Sequence, residues 1–115
     1  MSDGQTELLQ GTLALLILKA LLNGRPAHGY GIARWIEATT DDALRIEEGS
    51  LYPALRRIED RGWVTSEWGL SENNRRARFY AITDLGREHV RAEGLAWLRH
   101  AGAVASVLRA APAIG

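Results

Sequence analysis

Six arginines stand between Arg56 and Arg78 in two groups: Arg56, Arg57 and Arg61, then Arg75, Arg76 and Arg78. The guanidinium is a planar fork that matches two phosphate oxygens or the O6 and N7 edge of guanine, so clustered arginines point to a polyanion as partner. The amides of Asn73 and Asn74 precede the second group, and no carboxylate lies between Glu72 and Arg78. Ser50, Tyr52 and Pro53 precede the first group. Glu59 and Asp60 interrupt that first group, so a solvated helix face accounts for it as well as a nucleic-acid contact does.

Other chemistries find less support. None of His28, His89 and His100 has a second histidine four residues away, and only Glu93, four after His89, is a neighbour a metal could use. Ordinary helix-surface histidines are the expectation. Ser50 has no sequence neighbour that would act as its activating base. The chain has no cysteine, which removes thiol chemistry and thiolate metal sites. A small hydrolase is disfavoured because no acid, base and nucleophile cluster together; no enzyme activity, no cofactor and no metal are expected.

The chain has 115 residues, the size of one domain. Its 46% hydrophobic and 24% charged residues match an ordinary globular protein and exclude disordered or collagen-like classes. The formal net charge is zero, but residues 1–50 carry four basic and seven acidic side chains, and residues 51–115 balance that deficit. The basic surplus therefore falls in the half that holds the arginine groups. Leu8 to Leu22, the longest apolar stretch, is interrupted by Gln10, Thr12 and Lys19 and falls short of the ~18 apolar residues of a membrane span. With no basic leader and no small-residue cleavage site, a cytoplasmic location without membrane attachment is expected.

Elements must carry these residues. Leu8, Leu9, Thr12, Leu15, Leu16, Lys19 and Leu22 follow helical spacing, and Leu13, Ile17, Leu18 and Leu21 make the segment apolar most of the way round. A helix over residues 6–22 then needs cover on more than one side, and a second chain could supply part of it. Asn23, Gly24 and Pro26 stop it. A second helix fits Gly29 to Thr39, followed by a turn at Thr40, Asp41 and Asp42 and a short strand at Leu44, Arg45 and Ile46. Ser50 suits the N-cap of a third helix, with Pro53 in its first turn, Leu51, Leu55 and Ile58 as the buried stripe and Gly62 as the stop. Trp63 to Trp68 and Arg78 to Ile82 read as a hairpin whose long polar tip is Gly69 to Ala77. Thr83 and Asp84 cap a last helix ended by Pro112, along which Val90, Gly94, Trp97, Ala101, Val104 and Leu108 recur at the spacing of a coiled-coil seam.

Helix, helix, short strand, helix, hairpin, helix is the winged helix-turn-helix order: mainly α with a small β-hairpin, the third helix presented to a major groove and the hairpin tip beside it. Gly11-Thr12-Leu13, His28-Gly29-Tyr30-Gly31-Ile32, Glu47-Glu48-Gly49-Ser50-Leu51-Tyr52-Pro53-Ala54-Leu55, Glu67-Trp68 and Arg78-Phe79-Tyr80-Ala81-Ile82-Thr83 occur in one order over Leu8 to Thr83. In these blocks the sequence resembles the PadR family of bacterial transcriptional regulators, in the compact branch with a single short C-terminal helix. The resemblance implies a homodimeric repressor that binds double-stranded DNA with a palindromic operator.

Residues 1–83 are then a DNA-binding domain whose first helix also reaches the dimer interface, and residues 84–111 a dimerisation helix in the same compact unit. Candidate DNA contacts are His28, Tyr30, Ser50, Tyr52, Pro53, Arg56, Arg57, Asn73, Asn74, Arg75, Arg76 and Arg78. The glycines around Tyr30 would let backbone amides at a helix start approach a phosphate. Glu47 and Glu48 repel phosphate but stabilise the positive start of the third helix. Leu9, Leu13, Leu16, Val90, Trp97, Ala101, Val104 and Leu108 are the candidate interface. Trp35, Trp63, Trp68 and Trp97 read as core or interface residues, and the small Gly94 and Ala101 beside Trp97 leave room for a planar aromatic effector, which some members of the family bind. A protein-interaction module exposing Tyr52, Phe79 and the wing arginines is the alternative.

Overall fold

The computed structural model describes the backbone of residues 3–113 and the side chains of residues 12–113. Its elements run α1 (Asp3–Ala20), β1 (Ala27–His28), α2 (Gly29–Thr39), α3 (Glu48–Asp60), β2 (Val64–Leu70), β3 (Arg76–Ile82) and α4 (Asp84–Arg109). The three strands form one antiparallel sheet in the order β1-β3-β2. This is the winged helix-turn-helix arrangement, with α2 and α3 as the helix pair and β2 and β3 as the wing.

Among the described side chains, the apolar residues of α1 from Leu13 on pack against α2, α3 and α4 of the same chain. Leu13, Ile17, Leu18 and Leu21 are buried there with Ile32 and Ile36 of α2 and Leu51, Leu55 and Ile58 of α3. Each such side chain removed from water contributes about 1.5–3 kcal/mol before the entropy of ordering it is charged against the total. The helix ends at Ala20, two residues before the expected boundary, in tight turns from Leu21 N–H to the Leu18 carbonyl and from Gly24 N–H to the Leu21 carbonyl. Gly24 closes that turn at φ +84°, a conformation that costs glycine nothing.

The expected strand at Leu44 to Ile46 does not form. Asp41 and Asp42 both take positive φ and turn the chain sharply, and the half-buried Glu37 carboxylate accepts the Ile46 N–H at 2.9 Å, so a side chain satisfies the donor a ladder would have used. The third strand is instead Ala27–His28, paired with Tyr80 and Phe79. Two residues are too few for any period to betray them.

α3 begins earlier than expected. Glu47, in extended conformation, is the N-cap and its carbonyl accepts from Ser50 and Leu51; Ser50 is the third residue inside the helix and caps nothing. Pro53 is accordingly the sixth helical residue, beyond the first turn. The bond it forgoes would have ended on the carbonyl of Gly49, which is exposed and open to water, so the proline is tolerated. Gly62, at φ +78°, ends the helix as expected.

The wing strands are longer than expected and the tip correspondingly short. Leu70 pairs with Arg76 and Gly69 with Ala77, leaving Ser71 to Arg75 as the turn, closed by Ser71 N–H to the Arg75 carbonyl at 2.8 Å, with Asn74 in the left-handed region at φ +60°. Thr83 caps α4 by accepting from Gly86 N–H at 3.0 Å. α4 itself is 26 residues long, so the last helix is single but not short. Past Val90 it leaves the body of the fold: Leu95, Trp97, Leu98, Val104, Val107 and Leu108 are all exposed. No helix among the described residues is long and apolar enough to cross a membrane.

Candidate nucleic-acid interface

α3 divides cleanly. Leu51, Ala54, Leu55 and Ile58 are buried, whereas Tyr52, Pro53, Arg56, Arg57 and Asp60 form an exposed face at the complementary helical positions. That face has two sides. Ser50, Pro53 and Arg57 line an open cleft with Leu13 of α1. Tyr52 and Arg56 lie toward the wing, near enough to Tyr80 to influence the ionisation of its phenol.

The start of α2 meets α3 at Tyr52. A side chain at Gly29 would lie 3.2 Å from the Tyr52 ring and 3.3 Å from both Leu51 and Leu55, so the close approach of the helix pair depends on that glycine. His28 is the N-cap of α2: its Nδ1 accepts from Gly31 N–H at 3.0 Å, which leaves Nε2 as the donor of the neutral ring. The same imidazole meets Phe79 edge-on, with centroids 5.3 Å apart. Tyr30 is 66% exposed, with the Arg34 guanidinium 6.0 Å from its centroid. Phe79 itself is half-buried between His28 and the bare backbone of Gly69, so it does not offer the exposed ring an interaction module would use.

The wing is tied to α3 through three side chains. Ser66 Oγ donates to Glu59 Oε2 at 2.6 Å and accepts from Arg78 Nε at 2.8 Å, while Arg78 Nη2 is 3.8 Å from Glu59 Oε2. Arg78, expected as a DNA contact, therefore spends part of its fork within the protein. Asn73, Asn74 and Arg75 sit exposed on the tip and Arg76 at the start of β3, with no ion pair to any of them among the described residues. Tyr80 is buried beside this network: burial first, then the charge of Glu59, raise its pKa above the ordinary 10.0, against a lowering pull from Arg78 and Arg56.

The expected interface residues separate. Leu13, 1% exposed, and Val90 are already buried within the chain, and Leu16 is half-buried against the core, so the first two offer no surface to a partner. The side chain of Leu9 lies outside the described residues. Trp97, Val104 and Leu108 are exposed on α4, with Gly94 and Ala101 half-covered on the same helix. His89, expected as an ordinary surface histidine, stacks on Trp63. Sequence reasoning missed Glu59 and Ser66 as the ties of the wing, and Trp68, expected in the hairpin as a core or interface residue, is exposed on the wing. The signal for Trp68 is strand alternation, which puts it on the same face as Arg78 once the hairpin register is known.

An exposed recognition-type helix with a basic wing tied beside it defines the class: a winged helix-turn-helix regulator of transcription. The profile of the transcriptional regulator PadR-like family matches residues 17–92, and the chain belongs to that family, whose members regulate transcription and are not enzymes. A transcriptional regulator from Clostridium thermocellum is 28% identical, over 87% of this chain and 96% of that one, with a TM-score of 0.76. A PadR family transcriptional regulator from Eggerthella lenta is 31% identical, over 96% of this chain and 93% of that one, with a TM-score of 0.74. An uncharacterised protein of Lysinibacillus sphaericus is 26% identical over 86 residues, 75% of this chain and 78% of the relative.

Proposed function

We propose that this regulator is a homodimeric, cytoplasmic repressor that binds a palindromic operator in double-stranded DNA. Residues 1–83 make the DNA-binding unit, and the helix within 84–111 joins two copies. One observation carries the reading: the exposed face of α3 with Tyr52 and Arg56 is tied through Glu59 and Arg78 to a wing whose Arg75 and Arg76 have no carboxylate partner among the described residues. Arg56 is suited to a guanine edge, and Arg75 and Arg76 to phosphates. His28, through Nε2, Tyr30 and the amides at the start of α2 supply a second backbone clamp, and Ser50, Pro53 and Arg57 a third toward α1.

Dimerisation follows from α4. Its exposed Leu95, Trp97, Leu98, Val104 and Leu108 form an apolar surface that is costly to leave in water, and a twofold partner covers it with the same surface. Trp97, beside Gly94 and Ala101, is the site for a planar aromatic effector; fluorescence titration of wild type against Trp97→Ala, read together with operator release, tests it. The experiment for the function as a whole is capture of fragments from the source genome at low salt. Enrichment of a discrete fragment supports the reading, and failure to retain any fragment would refute it.

A further inference from the structure

Trp68 stands in β2, 55% exposed, with two guanidiniums over its ring: Arg76 Cζ lies 4.6 Å and Arg78 Cζ 5.4 Å from the centroid. The hairpin register explains both. Trp68 is directly opposite Arg78, and Arg76, opposite Leu70, is its diagonal neighbour on the same face, within reach of a long side chain. Arg78 is already anchored, by Nε to Ser66 and by Nη2 to Glu59 of α3. Arg76 has no ion pair among the described residues. Glu59, Arg78, Trp68 and Arg76 thus form a continuous series of contacts from the recognition helix to the edge of the wing turn.

We propose that Trp68 is a positioning residue for DNA binding: it holds the plane of the Arg76 guanidinium at a fixed reach from α3, so that the wing takes a backbone phosphate in a set register with the contacts of Tyr52 and Arg56. The proposal rests on the DNA-binding reading above. An arginine on a solvated strand loses much rotamer freedom when it grips a phosphate, and a ring against which it already stacks removes part of that loss beforehand. The indole face attracts the cation while leaving the N–H donors on the guanidinium edge free for phosphate oxygens. Because Arg78, over the same ring, is pinned to Ser66 and Glu59, the platform is located relative to α3 and not merely relative to the wing.

The test is a double-mutant cycle. Wild type, Trp68→Leu, Arg76→Ala and the double variant are titrated against a random-sequence duplex over a range of salt concentrations, with thermal melts to verify folding. Trp68→Leu is expected to weaken binding about two- to fivefold, Trp68→Phe by less, and the loss from Trp68→Leu to vanish once Arg76 is Ala. Arg76→Lys, which keeps the charge but not the plane, lowers affinity with little change in salt slope. Losses that multiply in the double variant, or a Trp68→Leu protein that binds as wild type does, overturn the proposal. If Trp68→Leu does not fold, Trp68→Phe takes its place in the same cycle with the same criterion. Wild type that binds no duplex at low salt removes the DNA-binding reading and this proposal with it, a result unmistakable for multiplied losses.

Discussion

The indole of Trp63 and the imidazole of His89 stack with centroids 3.7 Å apart and 16° between their planes. The pair joins the residue that leads into the wing to the second turn of α4, and Arg61 lies over the same indole at 5.2 Å. Around it, Thr83 Oγ1 donates to the Gly62 carbonyl at 2.7 Å and Arg87 Nη1 to the Leu22 carbonyl at 3.1 Å. The base of α4 is thereby fixed to the ends of α3 and α1. Replacing His89 with Ala removes the stack and is expected to cost about 0.5–1.5 kcal/mol, whereas His89→Phe retains most of it. Urea unfolding of the three proteins measures this, and equal midpoints for wild type and His89→Ala would count against the joint.

Two glycines of α4 make opposite predictions. A side chain at Gly86 would overlap the carbonyl oxygen of Trp63 and lie 2.9 Å from Ile82 Cγ1, so Gly86→Ala is expected to destabilise the fold by about 1–3 kcal/mol. Nothing lies within 4 Å of the corresponding position at Gly94, and alanine there gains about 1 kcal/mol of helix propensity. Gly94 belongs to the proposed seam, however, so the same change should stabilise the chain against urea while weakening self-association, as Val104→Glu should abolish it. Sedimentation equilibrium reads both; wild type that is monomeric at micromolar concentration contradicts the dimer.

Tyr80 gives a pH signature. Its pKa is raised in the folded protein, chiefly by burial and then by Glu59, so the folded state holds the phenol protonated where the unfolded chain ionises it. The stability this contributes is fully present below pH 10.0, the unfolded value, and is lost as pH rises through the higher folded value. Tyr80→Phe should flatten the alkaline fall in urea midpoint. A parallel fall in both proteins would mean that other groups cause it.

Much of this fold is legible in the sequence because it rests on strong periods. The α2 helix from Gly29 to Thr39 has its apolar stripe and bounding residues in plain view, and the wing follows from two β-rich runs around an Asn and Arg turn. What escaped was decided by contacts between residues distant in sequence. Ser50 looks like a cap until Glu47 starts the helix three residues earlier, and Ala27–His28 becomes a strand only because β3 is there to pair with it. In the site, the outer face of α3 followed from spacing alone. The ties of Arg78 to Ser66 and Glu59 did not, because they depend on the register of the hairpin against α3.

The two arginine groups should differ in kind. Arg75→Ala combined with Arg76→Ala is expected to weaken binding to all sequences alike and to flatten the salt slope by about 0.9 for each phosphate that is no longer neutralised. Arg56→Ala is expected to cost about 1–3 kcal/mol of discrimination at one base position in each half-site while leaving random DNA bound nearly as before. Competition titrations with operator and random duplexes separate the two. Equal loss on both duplexes would make Arg56 a backbone contact.

Hydroxyl-radical footprinting of the wild-type protein on the genomic fragment it retains tests the central claim, a twofold dimer carrying two recognition helices to DNA, most directly. A twofold dimer gives two symmetric protected patches centred one helical turn, about 34 Å, apart over an inverted repeat. A single unpaired patch, or uniform reactivity along the fragment at protein concentrations that saturate it, would contradict it.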